Sequence, residues 1–236
     1  MAASRATLGR DGLRAKVVIQ RVRLGSEEYR VIRPARTLKN AALYVGRTDY
    51  ELYVDRTDGR QLGTLLMLAA RSPRSLVYLP LRTSPGVPYV GAPDEQPLDL
   101  VLVPRARQFR PAHWKRLRTQ IKAGNAPREL RTARMPESDL STDNEIDWTV
   151  SGDRHTLRQH VHAETLFLTG EGGAFRRAAR EVFAVTKDGP PMAAKHPNLY
   201  HARGCNYHVC RGLYDWDDLG DDQEQLHITF HPTWAR

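Results

Sequence analysis

The sequence predicts an α+β protein with a basic, strand-rich N-terminal half and a smaller α/β C-terminal part. Three observations predict it. Short apolar runs broken by Gly, Pro and Asn recur between residues 16 and 103, which is the spacing of strands. Two segments place an apolar strand run ahead of a helical pattern: LDLVLV before RPAHWKRLRTQIKAG, and TLFLTG before GAFRRAAREVFAV. The charge changes sign along the chain. Residues 1–135 hold 26 Lys and Arg against 11 Asp and Glu, and residues 136–236 hold 10 against 16. The 236 residues are 40% apolar and 27% charged, enough for one large domain or two small ones with a buried core.

The elements follow in order. Residues 1–14 are polar and are expected to fray. KVVIQRV (16–22) and YRVIR (29–33) flank Gly25-Ser26, a hairpin signal, and AALYV (41–45) and YELYVD (50–55) flank a second one. LGTLLMLAA (62–70) fits a buried strand or a short helix, because an apolar run this short carries no clear period. SLVYLPL (75–81) reads as a strand, and the four prolines between Thr83 and Pro97 make that stretch a loop. LDLVLV (98–103) has the continuous apolar pattern of a central strand. In the helix after it, Pro111 stands near the start, Trp114, Leu117 and Ile121 recur at helical spacing, and Gly124 suits the end. Residues 125–153 lack apolar periodicity and read as a linker between a basic domain (15–124) and an acidic part (154–236). In that part TLFLTG (165–170) is a strand, and the helix over 173–185 stops near Gly189-Pro190-Pro191. The run from Asp215 to Glu224 is a solvated loop, and QLHITFH (225–231) is the last strand.

The excess of cations in the first half gives it the field of a nucleic-acid or anionic-surface binder. Its densest segment is RARQFRPAHWKRLR. Arg105, Arg107, Arg110, Lys115, Arg116 and Arg118 would neutralise phosphates, and Phe109, His113 and Trp114 would stack on unpaired bases. The alternative is an amphipathic helix whose Trp114 belongs to the core. Histidine runs the other way. Only His113 lies in the first half. The other eight lie between His155 and His231, together with Cys205 and Cys210. Imidazole and thiolate are the common ligands of zinc, so this clustering suits a metal or proton-transfer site. His160 with His162, or His227 with His231, share a strand face, and any two of these with Cys205, His208 or Cys210 would complete a tetrahedral set.

His162-Ala163-Glu164 followed by Cys205 and Cys210 resembles the signature of the zinc-dependent nucleobase (cytidine-type) deaminases, over about the last 80 residues. The resemblance implies that His162, Cys205 and Cys210 hold zinc, that Glu164 moves the proton, and that His-Ala-Glu opens a helix. The expectation is therefore a zinc-dependent hydrolase acting on a nucleobase or nucleic acid. The alternative is a non-enzymatic nucleic-acid-binding or interaction protein whose His/Cys cluster is structural or incidental. No phosphate loop GxxxxGK[ST], dinucleotide GxGxxG or Gly-x-Ser-x-Gly elbow is present, so those chemistries have no support. No apolar run reaches the ~20 residues of a membrane helix, and residues 1–16 lack the apolar core of a secretory signal. Two cysteines make no disulfide scaffold, and a cytoplasmic location is expected.

Overall fold

The computed structural model describes residues 13–46, 49–87, 96–136, 138–141, 157–197, 209–213 and 225–234. Cys205, His155, His208 and the acidic run over 215–224 lie outside the described residues. The described chain runs β1 (Leu13–Leu24), β2 (Glu27–Pro34), β3 (Ala41–Val45), β4 (Asp49–Val54), α1 (Arg56–Arg71), β5 (Ser75–Leu79) and β6 (Asp99–Pro104). Two short 3-10 turns lead into α2 (Trp114–Ala123), then β7 (Arg128–Met135), α3 (Ser138–Ser141) and β8 (Arg158–Val161). β9 (Thr165–Gly170), α4 (Gly172–Lys195), β10 (Cys210–Gly212) and β11 (Gln225–Phe230) follow.

The architecture is α+β, with two mixed sheets. Seven strands lie in the order β7-β1-β2-β5-β6-β9-β8, and four in the order β10-β11-β4-β3. The first hairpin forms as expected, because Gly25 takes a left-handed φ of 64° in the two-residue turn between β1 and β2. The second hairpin, β3–β4, also forms, but in the smaller sheet. β9 pairs with β6 and β11 pairs with β4, both in parallel, so residues after 154 complete sheets begun before 104.

Burial explains the sequence patterns. In β6, Leu100 and Leu102 enter one core and Val101 and Val103 enter another, on the opposite face of the large sheet. Two-sided burial is what makes LVLV read as an unbroken apolar run. β4 belongs to a sheet covered on one face only. Tyr50, Leu52 and Val54 are buried while Glu51 and Tyr53 are half-buried, which is the alternation of YELYVD. α2 covers one face of the large sheet with Trp114, Leu117 and Ile121. α1 and α4 pack together on the other face, and the smaller sheet packs on their far side. No described helix is long and apolar enough to cross a membrane.

The ambiguous LGTLLMLAA is helical, inside α1. The Asp55 side chain caps that helix by accepting from the Asp58 N–H at 2.6 Å, and Leu62, Leu65, Leu66 and Ala69 form one buried stripe. Gly59 and Gly63 each cost about 1 kcal/mol against alanine in a helix. α4 requires them: a Cβ at Gly59 would stand 2.5 Å from Thr186 Cγ2, and one at Gly63 would stand 2.8 Å from Phe183 Cζ.

Two expectations are corrected. The stretch expected as a linker contains β7, which pairs with β1 along eight residues and forms an edge of the large sheet. Seven of its eight residues are exposed or half-buried, so it carries no apolar alternation to betray it. α4 also does not stop at Gly189-Pro190-Pro191 but continues to Lys195. The prolines remove the N–H groups that would reach the Thr186 and Lys187 carbonyls. The helix persists because Gly189 lies against Phe230 of β11 and Ala193 still packs on the core.

Gly189→Ala tests that last contact. A Cβ there would stand 2.1 Å from Phe230 Cγ. Overpacking of this kind is expected to cost about 1–3 kcal/mol by urea denaturation, even though alanine is the better helix former. Adding Phe230→Leu is expected to recover part of the loss.

Candidate functional site

The His-Ala-Glu motif does not open a helix. It closes the β8–β9 hairpin, with the His162 and Thr165 backbones exchanging hydrogen bonds at 3.0 and 3.1 Å. Ala163 and Glu164 take φ values of 47° and 57°, the left-handed pair that a tight two-residue turn demands. The Glu164 carboxylate is half exposed and is gripped by Arg82 and by Arg118, the latter at 3.4 Å.

Behind Glu164 lies a carboxylate that sequence reasoning passed over. Asp99 begins β6, and its side chain is 3% exposed. It accepts from the Tyr78 hydroxyl at 3.0 Å and from the Arg82 backbone N–H at 3.1 Å, and it faces the Arg82 and Arg118 guanidinium groups at 3.2 and 3.5 Å. Burial and the Asp99 charge push the Tyr78 hydroxyl well above its usual range, so it remains a donor. Arg118 also donates to the Ala163 carbonyl at 3.0 Å, and the Trp114 indole N–H donates to the Thr165 hydroxyl at 2.9 Å. The signal available in the sequence was an acidic residue inside an apolar strand run, since a buried charge needs partners.

This cluster redraws the basic segment. Arg118 is committed to Asp99 and Glu164. Arg107 lies over the Tyr29 ring at 4.5 Å and donates to the Glu28 carbonyl. Trp114 is fully buried and packs edge-on against Tyr78 and Phe167, and Phe109 stacks on Phe167 at 5.9 Å. His113 meets the Tyr29 hydroxyl at 2.9 Å. Trp114 therefore belongs to the core, as the amphipathic alternative had it, and Phe109 and His113 are half-buried beside it. Arg105, Arg110, Lys115 and Arg116 are exposed.

A second basic surface lies at the β1 end of the large sheet and the N-terminal turn of α1. Arg14 and Lys16 of β1, Arg36 after β2, and Arg56 and Arg60 of α1 line a groove of about 1100 Å³ with no acidic side chain among its described lining residues. All five are exposed. Lys16, Arg36, Arg56 and Arg60 make no ion pair among the described residues. Arg56 and Arg60 stand roughly 6 Å apart on α1, whereas Arg14 and Lys16 alternate with Leu13 and Ala15, which enter the core beneath α1, so the two strand cations point to the opposite face of the sheet. Leu130, 68% exposed on β7, adds an apolar rim.

The His/Cys set divides. His160 and His162 stack with ring centroids 6.4 Å apart at the edge of the large sheet. His231 is buried and turns back on the Thr233 backbone. Cys210 lies on β10 of the small sheet, with Sγ 3.6 Å from His227 Nδ1, and the Nε2 of that ring is 3.8 Å from the Asp49 carboxylate. Among the described residues no three His, Cys, Asp or Glu side chains converge as a metal site.

Asp99 and Glu164 are expected to separate on substitution. Asp99→Asn removes the buried charge partner of two half-buried guanidinium groups and leaves them only the half-exposed Glu164, which is expected to cost about 3 kcal/mol in urea denaturation. Glu164→Gln, at a half-exposed position, is expected to cost less than about 1 kcal/mol. Comparison with protein-family models, with curated proteins and with solved structures finds no match to this chain.

Proposed function

We propose that this chain is a nucleic-acid-binding protein that contacts the phosphate backbone through the groove between β1 and α1. The observation that carries the reading is that groove: five exposed cations line it, with no carboxylate among its described lining residues. Cations arranged in this way displace condensed counterions from a polyanion, which supplies affinity without reading sequence. Its described lining residues include no aromatic side chain, so the reading rests on phosphate contact and implies sequence-tolerant binding. The reading agrees with the charge distribution along the chain. It moves the contact from the 105–118 segment, whose Arg107 and Arg118 are held by protein partners.

The zinc-dependent hydrolase is the weaker reading. Glu164 is gripped by two guanidinium groups, and Cys210 stands on the small sheet while His162 closes a hairpin of the large one. Support for it would need turnover of a nucleobase substrate that Glu164→Gln abolishes.

Binding of a labelled oligonucleotide, single-stranded and duplex, across a salt series tests the groove. Five phosphate contacts give a slope of log K on log salt of about −3.5 for a single strand and about −4.5 for a duplex. Arg56→Glu with Arg60→Glu is expected to weaken binding at least tenfold and to flatten the slope by about 1.4 to 1.8. Lys115→Glu with Arg116→Glu, on the opposite face of the sheet, is expected to change little. Unchanged affinity in the first variant, or its loss only in the second, overturns the assignment.

A further inference from the structure

We propose that the partner of the basic groove is a single-stranded nucleic acid, which passes from the arginines of α1 round the end of the large sheet onto an open strip of β1 and β7. The inference rests on the phosphate-contact reading and names the strand class that the geometry admits. Strand register builds the strip. Arg14, Lys16 and Val18 of β1 stand opposite Arg134, Thr132 and Leu130 of β7, and directly opposed residues share a face. One step further along, Arg128 stands opposite Gln20, whose amide donates to the Ile121 carbonyl of α2 at 3.5 Å. The strip is thus on the α2 side of the sheet. Among the described residues, the core beneath α2 includes Val22 of β1 and none from β7. The helix stops short of the strip, and Arg14, Lys16, Arg128, Thr132 and Arg134 are exposed beside Leu130, which is 68% exposed.

Two features of this surface select an unpaired strand. The first is direction. Arg56 and Arg60 stand on α1, on one side of the sheet, and Arg14 and Lys16 point to the other, although all four line the groove. A polyanion that meets both sets has to turn sharply at the end of the sheet. Duplex DNA has a persistence length of about 150 base pairs, so it lies along one side only, whereas an unpaired strand turns freely. The second feature is apolar. Val18 and Leu130 form an opposed pair between Lys16 and Arg128. An unpaired strand can lay a base over that pair, while a duplex keeps its base faces stacked inside. Charge on the strip is of one sign. Glu129 stands opposite Ile19 and so shares the face of α1, and Arg128 and Arg134 make no ion pair among the described residues. From Arg134 to Arg128 the strip runs roughly 20 Å.

Fluorescence anisotropy of the full chain with an unstructured thymidine oligonucleotide, and with a mixed-sequence duplex of the same length, tests this across a salt series. Arg128→Glu with Arg134→Glu is expected to weaken single-strand binding at least tenfold and to flatten its slope by about 1.4. The same variant is expected to change duplex binding less than twofold at physiological salt, which screens charges beyond about 8 Å. Arg56→Glu with Arg60→Glu is expected to weaken both. Leu130→Ser is expected to lower single-strand affinity severalfold with the slope unchanged, because that contact is apolar. Circular dichroism and urea midpoints check that each variant keeps its fold. Duplex binding that falls in both charge variants overturns the strand assignment and leaves phosphate contact standing. So does single-strand binding that Arg128→Glu with Arg134→Glu does not weaken. A wild-type chain that binds neither oligonucleotide, or Arg56→Glu with Arg60→Glu that binds as the wild type does, overturns the phosphate reading itself.

Discussion

The helix pair α1–α4 is buried from both sides, and the rest of the architecture depends on that. One side meets the large sheet and the other meets the small one, so α1 is buried without a break from Leu62 to Met67. Two helices also have to approach closely enough for both sheets to close on them. Gly59, Gly63 and Gly189 make the approach possible: each gives up side-chain volume where Thr186, Phe183 or Phe230 presses in. The helix-propensity cost of these glycines is offset by packing that a Cβ would forbid. The arrangement also explains why Pro190 and Pro191 do not end α4. Gly189 is still buried against Phe230 and Ala193 touches the core, while the residues around them are exposed or half-buried and their backbone groups can reach water in place of the two missing hydrogen bonds.

Charge in this protein has to be divided before it means anything. Arg82 and Arg118 are held by Asp99, Arg71 by Asp139 at 2.6 Å, and Arg211 by Glu181 at 3.1 Å. These cations are structural, and counting them toward a polyanion site overstates the field. Those that line the groove are of another kind, since protein carboxylates do not neutralise Lys16, Arg36, Arg56 or Arg60 among the described residues. The buried Asp99 therefore matters to function indirectly. By drawing Arg118 inward against Ala163 and Thr165, it takes the last cation of the 105–118 segment out of the surface.

The sequence made the strands legible wherever burial was patterned. β1–β2, β5, β6, β9 and β11 each carry either alternation or a continuous apolar run with turn residues beside it. β7 was illegible because an exposed edge strand needs only backbone pairing, and Arg128, Arg131 and Arg134 serve to keep it from pairing further. LGTLLMLAA was ambiguous because two-sided burial erases helical period as readily as it erases alternation. The His-Ala-Glu tripeptide was legible only as a motif. Its backbone is set by the strands on either side, and their register leaves two residues to turn in, so a left-handed hairpin turn won over a helix start. The groove was legible only as a net charge, because its five cations come from three separate segments that β1, β2 and α1 bring together. The pairing of Cys210 with His227 had no sequence signal stronger than their shared enrichment, since it depends on the register of β10 against β11.

The basic groove and the polar face around Cys210 and His227 are joined by one short piece of chain. β4 begins at Asp49, beside His227, and ends at Val54, one residue before Asp55, whose side chain caps α1. The strand between them spans roughly 20 Å. It is rigid, paired with β3 on one side and β11 on the other. That distance is about twice the ~8–10 Å over which exposed charges are felt at physiological ionic strength. A charge placed near His227 is therefore screened from the groove, and the Asp55 cap would have to loosen before the arginine row of α1 could respond. Electrostatics and packing alike make the two surfaces independent, so a change at one that altered the other would have to travel through the backbone of β4.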